Sequence, residues 1–360
     1  MKIIYIYILK KFINTFFFSL LALSIIFIIV DLFENLDKFL DRNAGLQNIA
    51  LYYLYYIPSI IKLLIPIGTL VSALFSIGNL SNQNEIIAMK SGSMSLYKLM
   101  LPLIILTIFI SAFQLWFVAY QVPKANKEKN ILAYKYLGQG NETSYLTNLY
   151  LRETPTRNVL IREFNSDKQI GFDLQVNDFT NDKSPRLKDR YSAKSFKWDS
   201  IGKCWDATNV TKKSFNFTKM KEEVLPDLKF KFDFNNKELS ELVKPTEEMN
   251  IKEWYKFIMF NKSGGQNVEL QLTDFYGVIA FPFANTIVIL FAVPFASVKK
   301  RGGLAVQIGA ALTISFVYLI FTKLGQTLGF GLGFQPILSA WLANILFFIS
   351  GIILILKTPK

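Results

Sequence analysis

The sequence predicts a helical membrane protein with six transmembrane helices and an all-β, jellyroll-like domain inserted between the third and the fourth. Half of its 360 residues (51%) are hydrophobic, yet 19% are charged. The charges are segregated, because 26 of the 40 Lys and Arg and 20 of the 27 Asp and Glu residues lie between positions 122 and 265. Outside that stretch, apolar runs of about 20 residues recur, which is the length that crosses a bilayer.

The apolar runs set the predicted spans. They cover residues 12–30, 49–80, 99–120, 275–298, 302–322 and 336–356. The resulting division is a membrane segment at 1–121, a water-facing domain at 122–265 and a second membrane segment at 266–360. Five prolines fall inside the runs, and we expect them to kink helices: Pro58, Pro66, Pro102, Pro282 and Pro294.

The distribution of Lys and Arg in the short loops predicts the orientation, because cytoplasmic loops carry the excess. One side holds Lys2, Lys10, Lys11, Lys299, Lys300, Arg301, Lys357 and Lys360. The other side holds Lys38 and Arg42, offset by four acids in the predicted 31–48 loop, and Lys323. Both termini are therefore expected in the cytoplasm and the insertion outside it.

The insertion is predicted to be mainly β. Residues 158–164 and 228–234 alternate apolar and polar side chains, which is the pattern of strands with one buried face. Turn-forming residues at 181–185 separate such runs. A short helix is expected at 246–261.

Composition excludes several kinds of site. The chain has no histidine and one cysteine, Cys204, so zinc sites, Cys/His pairs and Ser-His-Asp triads are ruled out. No phosphate-binding Gly-rich motif with its lysine is present. Any ATP that drives the protein is therefore hydrolysed by another subunit, and neither a cofactor nor a metal is expected.

The cytoplasmic loop from Ser81 to Lys98 is the most informative of the short loops. Asn82 or Asn84 can cap a helix that has Glu85 in its first turn, where the helix dipole favours an acid. One hypothesis is a connector that lies in the membrane interface. The other is a coupling helix, at about 82–97, that inserts into a cytoplasmic ATPase.

Five short motifs are spread along the chain: Tyr-Ile-Leu-Lys-Lys-Phe at 7–12, Glu-Ile-Ile-Ala-Met at 85–89 with Ser95, Pro-Phe-Ala at 282–284, Lys-Arg-Gly-Gly at 300–303 and Ala-Trp-Leu-Ala-Asn at 340–344. They resemble motifs of the lipopolysaccharide-export permeases, the LptF/LptG (YjgP/YjgQ) family, and the resemblance covers nearly the whole chain. Two departures stand out. This chain has Ser93 where the family usually has a glycine, and an acidic stretch at 269–274 replaces a basic residue.

The resemblance implies a permease subunit in the bacterial inner membrane. Such a subunit extracts lipopolysaccharide from the outer leaflet and passes it to a periplasmic β-jellyroll bridge toward the outer membrane. Implied partners are a cytoplasmic ATPase dimer, a paralogous or identical permease subunit, the bridge proteins, lipopolysaccharide and membrane lipids, but no nucleic acid. The expected ATPase-coupling residues are Glu85, Ile86, Ala88, Met89, Gly92 and Ser95.

Four cations are candidate ligands for the lipid phosphates. Lys62 is the only charge in its 32-residue apolar run, and it lies about 9–15 Å deeper than the tyrosines at 52–56 at 1.5 Å per residue. An ammonium at that depth is costly, so a functional role is the default hypothesis, with snorkelling to the interface as the alternative. Lys38, Arg42 and Lys323 lie on the same predicted side, where Lys323 can also serve as an interfacial anchor.

Three other functions fit parts of the sequence. A permease for another lipid or for lipoproteins usually has four spans, with its large domain after the first. A membrane enzyme acting on lipid-linked sugars would need clustered acids or histidines, and the acids at 31–41 are spaced like a solvated loop. A periplasmic sensor would need a cytoplasmic output domain.

Overall fold

The computed structural model describes residues 2–138 and 145–358, apart from short gaps at Asp167, Lys183, 217–218, Asp233, 237–238, 240–243, Gly264, 298–302 and Leu332. The chain forms two compact units, one from Met1–Gly138 with Glu269–Lys360 and one from Gln139–Val268. Four of the cations used to predict orientation, Lys299, Lys300, Arg301 and Lys360, lie outside the described residues.

The first unit is helical. Its helices are α1 (Lys2–Asp41), α2 (Leu46–Asn82), α3 (Glu85–Ser91), α4 (Leu96–Trp116) and α5 (Val122–Leu137), followed after the second unit by α7 (Glu269–Ala280), α8 (Ala284–Ser297), α9 (Gly303–Gly331) and α10 (Pro336–Lys357). A π-helical turn, Phe117–Gln121, joins α4 to α5, and a 3₁₀ turn, Phe281–Phe283, joins α7 to α8.

Six helical segments are long and apolar enough to cross a membrane, which confirms the predicted number among the residues described. They are Ile3–Asp41, Leu46–Asn82, Leu96–Leu137, Glu269–Ser297, Ile308–Leu328 and Pro336–Lys357. Pro58, Pro66, Pro102 and Pro294 lie inside α2, α4 and α8 without ending them. Pro282, in contrast, lies in the 3₁₀ turn that interrupts the fourth span.

Two helices continue well past the apolar runs. The predicted 31–48 loop is wrong for the most part, because α1 runs to Asp41 and α2 begins at Leu46. The third segment spans 42 residues, or about 63 Å at 1.5 Å per residue, which is roughly twice the hydrocarbon thickness. This extension includes α5, so the β unit begins at Gln139 instead of the predicted 122.

An apolar cluster explains why the extensions stay helical. Phe39 of α1 packs on Tyr52 and Tyr53 of α2 and on Ala133 and Leu137 of α5. The three helices thereby bury one another's apolar faces at this end. The main core of the unit instead is built mostly from α1, α2, α3, α4 and α8, with single residues from α9 and α10.

The second unit is a seven-stranded antiparallel sheet, which confirms the predicted all-β domain. Its strands are β1 (Tyr145–Thr154), β2 (Arg157–Asn165), β3 (Ile170–Phe179), β4 (Leu187–Asp199), β5 (Cys204–Asn216), β6 (Lys219–Leu225) and β7 (Leu228–Phe230). Neighbours in sequence are neighbours in the sheet from β1 to β6, and β7 also pairs with β5. The helix predicted at 246–261 is present over most of its length as α6 (Ile251–Ser263), which a 3₁₀ turn at Thr246–Glu248 precedes.

Two strand residues depart from the extended conformation at one level of this sheet. Asp173 of β3 and Asn209 of β5 have φ values of 52° and 54°. The pairing registers place both opposite Lys194 of β4. Asp and Asn tolerate the left-handed region better than other residues with a side chain, so both continuous strands accommodate a left-handed residue at the same height.

Candidate functional site

The helix α3 lies in the predicted coupling loop, and its acid is bound to α1. The Glu85 Oε1 atom accepts a hydrogen bond from the Tyr7 hydroxyl at 3.1 Å and one from the Lys11 ammonium at 3.4 Å. The same ammonium lies 4.5 Å from the centre of the Tyr7 ring. The carboxylate is therefore fixed against its own chain while its side chain remains 30% exposed.

The apolar residues of α3 divide between two faces. Ile86 is 2% exposed and packs in the main helical core, and Met89 packs partly against it. Ile87 and Ala88 are exposed, with Ile87 at 58%. Ile86 and Met89 therefore anchor α3 to the spans, while Ile87 and Ala88 are available to a partner.

The turn after α3 has its left-handed residue at Ser93 and not at the preceding glycine. Gly92 has a φ of −79°, which any residue adopts, whereas Ser93 has a φ of 65° in the left-handed region that favours glycine. The glycine of this turn therefore lies one residue before the position that would favour it. Ser95 then caps α4 by accepting a hydrogen bond from the Lys98 amide.

Lys38, Arg42 and Lys323 make hydrogen bonds to groups on their own helix or on a neighbouring one. The Lys38 ammonium donates to the Asn35 side chain at 3.2 Å, and the Lys323 ammonium donates to Gln326 at 3.0 Å. Arg42 donates to the carbonyls of residues 134 and 135, in the last turn of α5. A cation at a helix carboxyl end also interacts favourably with the helix dipole, so Arg42 stabilises that end of α5.

Lys62 lies at the border of the buried face of α2. Leu63 beside it is 37% exposed, while Leu64 is fully buried. Lys62 itself is half-buried. Its backbone carbonyl accepts a hydrogen bond of 2.8 Å from the Gln114 side chain of α4.

That hydrogen bond belongs to a buried polar network that none of the sequence motifs indicated. Pro66 lacks an N–H group, so it leaves the carbonyl of Lys62, four residues earlier, without its helical donor. Gln114 supplies the replacement, and its own oxygen accepts a hydrogen bond of 2.7 Å from Asn285 of α8. Both Gln114 and Asn285 are fully buried.

The interruption of the fourth span is bridged in the same way. The Ser111 hydroxyl of α4 donates to the Pro282 carbonyl at 2.7 Å. The Asn344 amide of α10 donates to the Ala280 carbonyl at 2.7 Å and accepts from the Tyr318 hydroxyl of α9. Uncharged polar residues inside apolar runs, together with prolines, were the sequence signal that could have revealed these links.

Among its described residues, the sheet unit has one group of metal-ligand type. The side chains of Asp199, Cys204 and Asp206 lie close together. Lys229 already supplies a cation there, at 3.4 Å from each carboxylate. The N–H groups of Gly202 and Ile201, with Lys229, lower the pKa of the Asp199 carboxyl, and Asp206, followed by Asp199, raises the pKa of Lys229. Lys229 thus balances one of the two negative charges of this group.

The sheet unit also has an open groove and free strand edges. The groove has a volume of about 550 Å³, with Trp198, Phe232 and Phe234 among its lining residues together with the polar Gln169 and Lys203. In the part of the chain that the structure describes, β1 pairs only with β2, and β6 pairs only with β5. Among the described residues neither outer edge has a strand partner, although α6 contacts β1, and such edges can pair with another chain.

Comparison with known proteins gives matches along almost the full chain. The family model described as lipopolysaccharide export system permease LptF/LptG matches residues 6–357. The lipopolysaccharide export system permease protein LptG of Escherichia coli K12 is 20% identical over 98% of this chain and 97% of that protein. LptG of Haemophilus influenzae is 22% identical over 92% of this chain and 91% of its own length.

Proposed function

The chain belongs to the LptF/LptG family of lipopolysaccharide export permeases, and from this we propose that it takes lipopolysaccharide from the outer leaflet of the inner membrane and delivers it to a periplasmic bridge. The observation that carries the proposal is the match over residues 6–357, which includes all six spans and the sheet unit. As a permease subunit the chain is not itself an enzyme. We assign ATP hydrolysis to a separate cytoplasmic ATPase dimer.

The proposed orientation has both termini and α3 in the cytoplasm and the sheet unit in the periplasm. It rests on the excess of Lys and Arg in one set of short loops. The turn that holds Gln83, between α2 and α3, then faces the ATPase. The loop between α1 and α2, which holds Arg42, faces the periplasm.

In this orientation α3 is the docking element for the ATPase. Support comes from its two faces, since Ile86 is buried among the spans while Ile87 is 58% exposed. An exposed isoleucine beside an exposed Ala88 offers an apolar surface that a cleft on a partner can bury. Gly92 and Ser95, two other predicted coupling residues, shape the turn into α4.

The proposed partner within the membrane is a second permease subunit, either paralogous or identical. Its support is the uneven burial of the spans. In the most apolar stretch of α2, 67% of residues are buried inside the unit, but in the first and fifth spans the shares are only 11% and 17%. Packing against a second subunit, with a lipid cavity between them, would cover these faces.

The sheet unit is proposed to pass the lipid onward. An added strand on β1 or on β6 would continue the sheet into a neighbouring β protein through main-chain hydrogen bonds. The groove with Trp198 and Phe234 on its apolar side and Lys203 on its polar side suits an amphipathic lipid. Both features support a role as the first section of a β bridge.

The proposed substrate contacts are phosphates near the periplasmic surface and acyl chains below them. Lys62 is the deepest of the four candidate cations, and we assign it to the lipid cavity. Lys38 and Lys323, which are exposed, are assigned to the headgroup region. Arg42 contributes its charge there while it holds the end of α5.

Charge reversal at Lys62 tests this function. A Lys62→Glu variant should lower the amount of lipopolysaccharide bound per purified complex by about tenfold or more, because a carboxylate repels phosphate strongly where screening is poor. Lys62→Leu should lower it only about threefold, since the acyl contacts remain. The measurement is bound lipopolysaccharide by mass spectrometry at matched protein amounts.

A charge reversal at the exposed Lys262 of α6 is the matched control and should leave occupancy unchanged. Equal occupancy in the wild type and both Lys62 variants would remove Lys62 from the substrate site. If no variant, the wild type included, carried lipopolysaccharide above the level of a detergent blank, the proposed substrate itself would be refuted.

A further inference from the structure

Two hydrogen bonds between α1 and α3 end on the same carboxylate oxygen. The Tyr7 hydroxyl and the Lys11 ammonium both donate to Oε1 of Glu85, at 3.1 and 3.4 Å. Among the described residues no hydrogen bond reaches the second oxygen, Oε2. Two donors on one oxygen fix the rotation of the carboxylate and leave the other oxygen available.

Exposure places this second oxygen where a partner can reach it. The Glu85 side chain is 30% exposed and that of Lys11 is 26% exposed. Tyr7 is 38% exposed. The carboxylate therefore lies at the surface of the unit, beside the exposed Ile87 of the same helix.

We propose that Tyr7 and Lys11 are positioning residues for ATPase docking: they hold Glu85 by Oε1 so that Oε2 is presented to a cation on the ATPase. This inference rests on the proposed docking at α3. It makes the first transmembrane helix a part of the docking site, although Tyr7 and Lys11 need not touch the ATPase themselves. A preorganised carboxylate binds a cation with less loss of side-chain freedom than a mobile one does.

Apolar contacts strengthen the same link between α1 and α3. Ile8 and Phe12 of α1 are fully buried in the cluster that also contains Ile86. The polar pair thus lies at the edge of a packed interface, and α3 cannot move far without moving the start of α1. A displacement of α3 by the ATPase is accordingly transmitted into the first span.

The test is the affinity of the purified ATPase subunit for the permease complex in nanodiscs, measured for single and double variants. Lys11→Met should weaken binding about two- to fivefold, the range expected for a partly exposed ion pair. Lys11→Arg should restore it, because a guanidinium can reach the same oxygen. Lys10→Met, at the exposed neighbouring lysine, is the matched control and should have no effect.

The double-mutant cycle with Glu85→Gln separates positioning from a general change of charge. In the Glu85→Gln background the Lys11→Met substitution should cost less than about 1.5-fold. Equal effects of Lys11→Met in both backgrounds, no effect in the wild-type background, or tighter binding would each overturn the inference. Tighter binding in particular would mean that Lys11 competes with the ATPase for Glu85.

An Ile87→Glu variant distinguishes failure of this inference from failure of the proposed docking. It should weaken ATPase binding more than tenfold if α3 enters a cleft, because a carboxylate would be buried without a partner. If Ile87→Glu weakens binding and Lys11→Met does not, the docking role stands and the positioning role is wrong. If Ile87→Glu has no effect, α3 is not the docking helix and both are wrong.

Discussion

At the end of α3 the backbone of Ser93 has a φ of 65°, while that of Gly92 has a φ of −79°. A left-handed conformation costs a residue with a Cβ about 1 kcal/mol or more. Ser93 bears that cost, and Gly92 gains nothing from its lack of a side chain. A Cβ at position 92 would lie 3.4 Å from the Met89 carbonyl, which is ordinary contact.

Substitutions at these two positions should therefore act in opposite directions. Gly92→Ala should stabilise the turn by about 0.4–1 kcal/mol, because it restricts the unfolded chain without straining the folded one. Ser93→Val should destabilise the same turn by about 1–2 kcal/mol, since a β-branched residue fits the left-handed region poorly. Hydrogen exchange of the α3 amides measures both. Slower exchange in Ser93→Val than in Gly92→Ala would contradict the assignment.

The hydrogen-bond partners of Arg42 could not be predicted from the sequence alone. Its charge and its loop predicted a phosphate ligand, but the structure has its guanidinium on two carbonyls of α5, 92 and 93 residues away in sequence. The same holds for Glu85, whose acidic character in the first turn of α3 was predictable. Its partners Tyr7 and Lys11 were not, because a pairing over 74 or more residues depends on how the spans pack.

At the scale of elements, apolar runs located all six spans but underestimated two of their lengths. Charged residues near position 31 suggested a loop, whereas Asp31 accepts a hydrogen bond from the Tyr53 hydroxyl inside a continuous helix. Ile28, Leu32 and Phe39 lie at helical spacing and face α2 and α5. Tertiary burial of that stripe, which hydropathy does not reveal, keeps the end of α1 helical.

The hydrogen bond from Gln114 of α4 to the Lys62 carbonyl of α2 bridges the two helices and can be tested by also replacing Pro66, the residue that leaves this carbonyl without a helical donor. Gln114→Leu leaves the Lys62 carbonyl and the Asn285 amide without their partner, so the complex should lose about 1–2 kcal/mol of unfolding free energy in mixed detergent. In a Pro66→Ala background the loss should be smaller. The alanine would restore the helical N–H donor to that carbonyl.

The matched control for this bridge is Thr313→Val on α9, where an exposed hydroxyl bonds only to its own helix. It should change the unfolding free energy by no more than a few tenths of a kcal/mol. An equal loss for Gln114→Leu with and without Pro66 would show that Gln114 acts through Asn285 alone. The carbonyl exposed by Pro66 would then have no part in the bridge.

For the whole molecule, the segregation of charge between 122 and 265 predicted the order of the units, and the structure confirms a sheet unit between two groups of three spans. Alternating residues predicted β2 well and β7 only in part, because Lys231, Phe232 and Phe234 lie beyond the strand that pairs with β5. The left-handed conformation of Asp173 and Asn209 could not be predicted, because no sequence pattern marks these two positions. Their effect arises only when neighbouring strands align them.

The loop charges predict on which side of the membrane each part of the molecule lies, and this is the last prediction to test. Cys204 is buried, so a Cys204→Ala variant provides a background without reactive thiols. Ile201, which is 98% exposed in the turn between β4 and β5, and Gln83, exposed between α2 and α3, are suitable sites for single cysteines. Neither change removes a packed side chain.

In spheroplasts, a membrane-impermeant maleimide should label Ile201→Cys at once and should label Gln83→Cys only after permeabilisation. The physical reason is that Lys2, Lys10 and Lys11, together with the basic residues at 299–301, resist translocation and hold their side of the membrane in the cytoplasm. Labelling of Gln83→Cys in intact spheroplasts would show that the orientation of the molecule is the opposite of the predicted one. It would place α3 in the periplasm, out of reach of any cytoplasmic ATPase, and the sheet unit on the wrong side for a bridge to the outer membrane.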